Sequence, residues 1–430
     1  MSSALFVGLA ALALLAAIGV PIALSMALAG FVGFGMVVGW HGALAMVGQT
    51  AFDTALSYNL AVLPLFILMG NFITRARLSE DLYAAAYALV GHFRGGLALS
   101  TLLACTGFSA VCGSSLATAA TMSRVTMPSM RKFGYKDSLA AGSIAAGGTL
   151  GILIPPSVAL VLYGIMTNTD IGKLFIAGIL PGLIGLAFYS AAVVLVTWRD
   201  PAAGPPGERT SWSDRLRILR RVWGVTLLFL VVIGGIYLGV FTSTEAAGIG
   251  AAFAGVFAIV RGGMRLRECF DVLVETARMT AMLFAIVIGA LIFSNFVNVG
   301  GLLQALEAWV RLMNFSPVEV LIGVLLVYIV LGLVLESMSM MLLTVPIFFP
   351  LMMSYGFDPI WFGIIVVVVT EISLITPPIG MNIFVLRATL PGVATGTIVR
   401  GVVPFVVADL FRLALLAAVP WLVLVLPSHL

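Results

Sequence analysis

The chain has 430 residues, 61% of them hydrophobic and only 9% charged, with a formal net charge of +4. A soluble domain carries roughly a quarter charged residues, so composition excludes a soluble globular protein and predicts a polytopic helical membrane protein. The apolar runs are long and continuous, which excludes an alternating transmembrane barrel. The basic excess sits in a few inter-helix loops, so it reads as an orientation signal and no nucleic-acid partner is expected.

Apolar segments fall at 4–20, 22–40, 59–74, 138–165, 171–198, 222–241, 245–260, 279–297, 358–385 and 402–427, which predicts ten spans. The first lacks a basic start and apolar sequence continues after Pro21, so a retained helix is expected rather than a cleaved signal peptide. Segments 41–58, 80–95, 262–278 and 301–313 are more polar and are predicted to lie along the interface as amphipathic helices. Cys105, Cys112 and Cys269 have no metal-type spacing and read as packing residues. His41, His92 and His429 are scattered, so no metal site is expected from them.

Segment 97–128 behaves differently. Arg75, Arg77 and Arg94 precede it, and Arg124, Arg131, Lys132 and Lys136 flank its end, so both ends are predicted to be cytoplasmic. Its 32 residues make two arms, each about 22 Å long at helical rise, short of the ~30 Å hydrocarbon core. A re-entrant helical hairpin with its tip at Gly113–Ser115 fits. Segment 138–165 follows and is broken by Pro155-Pro156.

The loop 199–221 carries Arg199, Arg209, Arg215, Arg217, Arg220 and Arg221 among prolines and glycines. It is predicted to be a cytoplasmic linker between a first half, 1–198, and a second half, 222–430. In the second half, segment 317–350 is the expected counterpart hairpin, with its tip at Glu336-Ser337-Met338-Ser339 and flanks poor in Lys and Arg. It should open to the outside. Segment 358–385 is then broken by Pro377-Pro378.

A repeat underlies this layout. Pro128, Gly134, Tyr135, Pro155 and Pro156 recur as Pro350, Gly356, Phe357, Pro377 and Pro378, each 222 positions on. The same offset carries Ser114-Ser115 to Glu336-Ser337. Two halves entering from opposite faces, each with a broken helix, predict an inverted repeat of the kind that builds secondary transporters.

Irregular backbone at membrane depth persists only around a protein-lined cavity. Each Pro-Pro pair frees carbonyls about one turn earlier, and each helix N-terminus at a break offers partial positive charge to an anion. Hydroxyls and carbonyls together make an oxygen cage for a hard cation such as sodium. The expected sodium ligands are Gly113, Ser115, Gly151, Ile152, Pro155 and Pro156 in the first half. In the second they are Ser337, Ser339, Thr376, Pro377, Pro378 and Gly380. Ser114, Ser115, Ser157, Glu336 and Asn382 are the expected substrate contacts.

A lone serine more often bonds back to its own helix; the matched tip positions favour function for Ser115 and Ser337. Glu336 leaves three readings open: cation ligand, proton carrier or structural pair. Glu371, six residues before Pro377, is a weaker case of the same kind. Glu245 fits the first turn of a helix capped by Ser243 or Thr244, and Asp409 and Arg412 are spaced to pair structurally on one helix face.

No nucleotide-binding glycine loop is present, so no ATPase is expected. An intramembrane hydrolase using Gly113-Ser114-Ser115 lacks a base at the midplane. A gated cation channel and a stand-alone ion-coupled carboxylate carrier stay open as alternatives.

Several stretches resemble the large membrane subunit of tripartite ATP-independent periplasmic (TRAP) transporters. They are Cys112–Ser115, Pro128–Tyr135, Leu150–Ser157, Leu174–Gly182, Phe241–Ala247, Thr344–Pro350 and Thr376–Asn382. The resemblance covers nearly the whole chain. It implies sodium-driven uptake of an organic anion, usually a carboxylate, across a bacterial inner membrane by an elevator motion. It also implies two partners: a small four-helix membrane subunit and a periplasmic substrate-binding protein. By carry-over, Ser115 and Glu336 fall in the ion and substrate region beside Pro155 and Pro377. Family members often carry Asp at the second tip, where this chain has Glu336, and Gly-Ser-Gly-Ser at the first, where it has Cys112-Gly113-Ser114-Ser115.

Overall fold

A computed structural model describes residues 3–76, 78–378 and 380–429. Arg77 and Ile379, both used in the sequence reading, lie outside the described residues. Every regular element among the described residues is helical.

In chain order, α1 (Ser3–Ala17) and α2 (Ile22–Val38) are separated at Pro21, and α3 (Trp40–Leu56) starts after Gly39. A 3-10 turn at Tyr58–Ala61 leads into α4 (Val62–Arg75), and α5 (Leu78–Val90) follows. Next come α6 (Gly96–Cys112) and α7 (Ser115–Lys132), then α8 (Asp137–Thr149), a 3-10 turn at Leu150–Ile152 and α9 (Val158–Thr167). The long α10 (Ile171–Arg199) reaches the linker, which contains α11 (Trp212–Leu219). Then follow α12 (Trp223–Tyr237), α13 (Ser243–Val260), α14 (Leu266–Val299), α15 (Leu302–Leu312), α16 (Pro317–Gly332) and α17 (Ser337–Ser354). Last are α18 (Pro359–Ile375), α19 (Met381–Thr389), α20 (Thr395–Ala418) and α21 (Trp421–Leu424).

Most predicted segments fall on these helices, with three differences. Segments 262–278 and 279–297 are one helix, the 34-residue α14. No proline or glycine interrupts it before Gly289, so its charged first half simply continues into the apolar second. The matched region of the first half is split, because Pro64 lies in the first turn of α4 and cannot donate to the carbonyl of Leu60. The hairpin arms α7 and α17 run on through Pro128 and Pro350, to Lys132 and Ser354. The helix after Phe241 is capped by Thr242, not by Ser243 or Thr244, in a reciprocal box with Glu245.

Six helices among the described residues are long and apolar enough to cross a membrane: Tyr58–Arg75 with its 3-10 turn, α10, α13, α14, α17 and α20. Shorter apolar helices include α6, α9, α16 and α18.

Several packing pairs recur when each helix is exchanged for the one 222 positions away. Thus α7 packs on α19 and α17 on α9; α8 packs on α20 and α18 on α10; α4 packs on α13 and α14 on α2. The α8–α20 contact is the tightest of these. A Cβ on Gly142 would lie 2.2 Å from the Gly401 carbonyl oxygen, and one on Gly401 would lie 2.0 Å from that of Ser138. Glycine at the contact lets the two helix backbones approach this closely.

The linker is a docked strap rather than a loose loop. Gly95 N donates to Gly204 O at 2.8 Å, and Lys136 N donates to Ala203 O at 3.1 Å. These two donors stand at the start of α6 and just past the end of α7. Both ends of the α6–α7 hairpin therefore meet the linker. At the other end of the chain's path, Tyr163 on α9 donates its hydroxyl to Pro359 O at 2.6 Å, close to where α17 gives way to α18.

Candidate ion and substrate site

The first tip is built by two helix ends. Gly113 closes α6 with φ 63°, a left-handed conformation that favours glycine. Ser114 then caps α7, accepting from Ala117 N at 3.4 Å. The tip lies on the first break: a Cβ on Gly113 would meet Pro156 O at 3.0 Å. Residues 151–160 are all buried.

Beside this contact, oxygens converge on Gly151. A Cβ there would lie 3.2 Å from Ser109 Oγ, 3.3 Å from Ser114 O and 3.3 Å from Thr118 Oγ1. Ser109 and Thr118 are fully buried, and neither hydroxyl has a hydrogen-bond partner. Two orphaned hydroxyls facing the same glycine are costly unless something occupies the space between them. Neither residue was a sequence candidate. The available signal was helical spacing: Ser109 is one turn before Gly113, and Thr118 is three residues after Ser115.

Asn382 ties the halves together. Its Nδ2 donates to Ser115 Oγ at 2.9 Å and to Ala145 O at 3.0 Å, and Ser115 Oγ lies 3.1 Å from its Oδ1. Ser123 on α7 also donates to Thr389 Oγ1 on α19 at 3.0 Å. The structure thus brings Ser115 and Asn382, two predicted site residues, into one buried clamp. Ser157 caps α9, accepting from Leu160 N at 3.2 Å, and its hydroxyl donates to Ile152 O. Two more candidates, Ser157 and Ile152, are therefore joined within the first break.

The second tip is more open. Glu336 is half-buried and caps α17, accepting from Met338 N at 3.0 Å and Ser339 N at 3.2 Å; Ser337 Oγ donates to its other oxygen at 2.8 Å. In the second break, Thr376 donates its hydroxyl to Ile372 O at 2.6 Å, and Gly380 N donates to Thr376 O at 3.1 Å. Pro378 is exposed, whereas Pro155 and Pro156 are buried. Among the described residues no hydrogen bond joins the second tip to the second break. Of the three readings of Glu336, the geometry displays the structural one, a helix cap. Both Pro-Pro bonds are cis.

A buried charge cluster lies beneath the second break. Arg412 bonds Glu371 and pairs with Asp409, and Tyr189 donates to Asp409. The expected Asp409–Arg412 pair is present, and it has recruited Glu371.

Comparison with known proteins accords with this architecture. Residues 9–422 match the family described as "Tripartite ATP-independent periplasmic transporter, DctM component". The C4-dicarboxylate TRAP transporter large permease protein DctM of Pseudomonas aeruginosa is 39% identical over 381 residues, 88% of each chain. The ectoine/5-hydroxyectoine TRAP transporter large permease protein UehC of Ruegeria pomeroyi is 32% identical, covering 94% of each. The sialic acid TRAP transporter large permease protein SiaM of Vibrio cholerae is 33% identical, covering 86% of this chain and 87% of its own. Among solved structures, the Neisseria gonorrhoeae MtrF structure superposes with a TM-score of 0.63 at 15% identity, over 90% of this chain and 85% of that one. The YdaH transporter of Alcanivorax borkumensis gives a TM-score of 0.59 at 17% identity, over 89% and 88%. At such identities these two similarities concern the fold alone.

Proposed function

The chain belongs to the DctM component family of tripartite ATP-independent periplasmic transporters, a transporter permease and not an enzyme, and from that premise we propose that it carries out sodium-coupled uptake of an organic carboxylate. It is a multi-pass protein of the bacterial inner membrane. The solute is delivered by a periplasmic binding protein, and a small four-helix membrane subunit binds alongside. Relatives are named for C4-dicarboxylates, ectoines and sialic acid, and all of these solutes carry a carboxylate.

The observation that carries sodium coupling is the pair of unpartnered hydroxyls, Ser109 Oγ and Thr118 Oγ1, facing Gly151 beside the Ser114 carbonyl. A neutral, all-oxygen donor set suits a hard monovalent cation and not a transition metal. In this reading Gly113, Ser115, Gly151, Ile152, Pro155 and Pro156 frame the first sodium. Ser337, Ser339, Thr376, Pro377, Pro378 and Gly380 frame a second. The N-termini of α7, α9, α17 and α19 turn partial positive charge toward the space between, where the carboxylate sits near Ser114, Ser115, Ser157, Glu336 and Asn382.

The hairpins are re-entrant and the repeats inverted. Supporting this, both ends of α6–α7 meet the linker, while the start of α18, just past α17, meets Tyr163 of α9. An elevator motion moves the hairpins and broken helices together, past a frame containing α2, α4, α13 and α14. The test is uptake in proteoliposomes that also contain the small subunit and the binding protein. Ser115→Ala and Glu336→Ala are each expected to abolish sodium-dependent uptake while the protein still inserts; normal uptake by both would refute the site assignment.

A further inference from the structure

Two carboxylates, Glu371 on α18 and Asp409 on α20, share one guanidinium, Arg412, and all three side chains are 0% exposed. They are the only buried acids among the described residues. With both carboxylates ionised, the cluster would hold one uncompensated negative charge in the interior of a membrane protein. That is far more expensive than a neutral cluster.

Among the described residues no other cation reaches it. The helices packed against α18 are α8, α9, α10, α16, α17, α19, α20 and α21. Their charged residues besides the cluster are Asp137, Lys173, Arg199, Glu319, Arg387 and Arg400, and none of them is buried. Of the nearby tyrosines, Tyr163 donates to Pro359 O and Tyr328 lies on α16, while Tyr189 donates into the cluster, to Asp409.

We propose that this cluster is a proton-binding site, holding one proton at neutral pH, and that Glu371 carries it. Each carboxylate accepts one hydrogen bond, Asp409 Oδ2 from the Tyr189 hydroxyl and Glu371 Oε2 from Arg412, and each has its other oxygen buried without a hydrogen-bond partner. Asp409 differs in having two supports: beside the tyrosine donor, its Oδ1 lies 3.0 Å from Arg412 Nη2 as an ion contact, whereas Glu371 has Arg412 alone. The better-supported carboxylate keeps the negative charge and the other takes the proton. The protonated cluster, Asp409⁻ with Arg412⁺ and neutral Glu371, has no net charge.

The site has a place in the fold. Thr149, the last residue of α8 before the first break, lies 3.0 Å from the Tyr189 hydroxyl. Glu371 stands six residues before Pro377 in the second break. The chain Thr149–Tyr189–Asp409–Arg412–Glu371 therefore joins the two breaks through one polar network. Room for the guanidinium is made by Gly185, where a Cβ would lie 2.0 Å from Arg412 Nη1. The inference stands apart from sodium coupling, and its test needs no transport.

The experiment is infrared spectroscopy of the purified full-length protein in lipid, reading the carbonyl stretch of protonated carboxyl groups at neutral pH. The remaining acids among the described residues are not buried. The wild type is expected to show the band. Glu371→Gln and Asp409→Asn, both near-isosteric, should each remove all of it, because either change leaves one carboxylate balanced by Arg412. Thermal unfolding confirms that the variants fold, and if one does not, the other decides. Absence of the band in wild type would overturn the proposal. So would survival of about half of it in either variant, which would mean that both acids are separately protonated.

Discussion

At the first tip Ser114 caps its helix through one long bond, Gly113 rests on the Pro156 carbonyl, and two nearby hydroxyls have no partner. At the matched second tip Glu336 accepts two backbone N–H groups and a serine hydroxyl, and Val334 beside it is 72% exposed. The repeat has kept the backbone plan and changed the polar chemistry. A neutral cap leaves oxygen lone pairs free for a cation. A charged cap uses most of its acceptor capacity on the helix end, so fewer lone pairs remain at the second tip for a ligand. The first half is thus a closed site with unmet polar atoms, and the second is a more open tip with more of its polar atoms met.

The largest effect should come from filling the closed site. Gly151→Val puts a branched side chain at the point where Ser109 Oγ, Ser114 O and Thr118 Oγ1 lie within 3.3 Å of a Cβ. Uptake in proteoliposomes is expected to be lost at every sodium concentration. Substantial uptake at high sodium would show that the oxygens around Gly151 are not where the ion binds.

Removing one orphan is subtler and separates function from stability. Thr118→Val keeps the shape of the side chain and deletes a buried hydroxyl that has no partner. The half-saturating sodium concentration should rise on the order of tenfold, equivalent to about 1.4 kcal/mol of lost ion binding. Stability without sodium should stay level or rise by about 1 kcal/mol, since an unsatisfied buried group is relieved. A matched loss of stability and uptake would mean that the hydroxyl is structural.

Asn382 sharpens the comparison between the two tips. Its matched position in the first half is Leu160, so a polar side chain clamps the first tip and, among the described residues, none hydrogen-bonds the second from the matched helix. Asn382→Ala leaves Ser115 Oγ and Ala145 O buried without this donor, a cost of about 1–3 kcal/mol. Amide hydrogen exchange over residues 112–116 should then rise toward that of 333–337. In the wild type the second tip is expected to exchange faster than the first.

Much of this arrangement was legible in the sequence. Prolines and glycines recurring at one offset located both hairpins and both breaks, because these residues mark where regular backbone stops. Charge placed the linker between the halves. Other features depend on distances that spacing does not carry. Ser109 and Thr118 look like ordinary helix serines and threonines until Gly151 is folded against them. Asp409 looked like the single partner of Arg412 and Glu371 like a weaker case of Glu336, and only the packing of α18 against α20 put two acids on one arginine. The join of 262–278 to 279–297 was hidden because a change from polar to apolar composition resembles a boundary when nothing breaks the helix.

The smallest expected effect lies at the start of the two broken helices, where Lys136 and Asp358 occupy matched N-cap positions. Asp358 accepts from Ile360 N at 2.8 Å and Trp361 N at 2.9 Å. Lys136 makes no side-chain cap and instead pairs with Asp200 of the linker on the exposed surface. Asp358→Ala should cost about 1 kcal/mol of stability, the ordinary worth of a cap, and Lys136→Ala should cost less, because solvent screens an exposed pair. The two should also differ with pH. Lys136 bonds the Asp200 carboxyl and holds it below its ordinary range. The contribution of that pair is therefore present above the pKa of a free carboxylate and is lost as pH falls through the lower, folded-state value. Thermal unfolding of Lys136→Ala and wild type should thus converge on acidification. Equal costs for the two substitutions at neutral pH would mean that the linker strap contributes as much to its half as a helix cap does to the other.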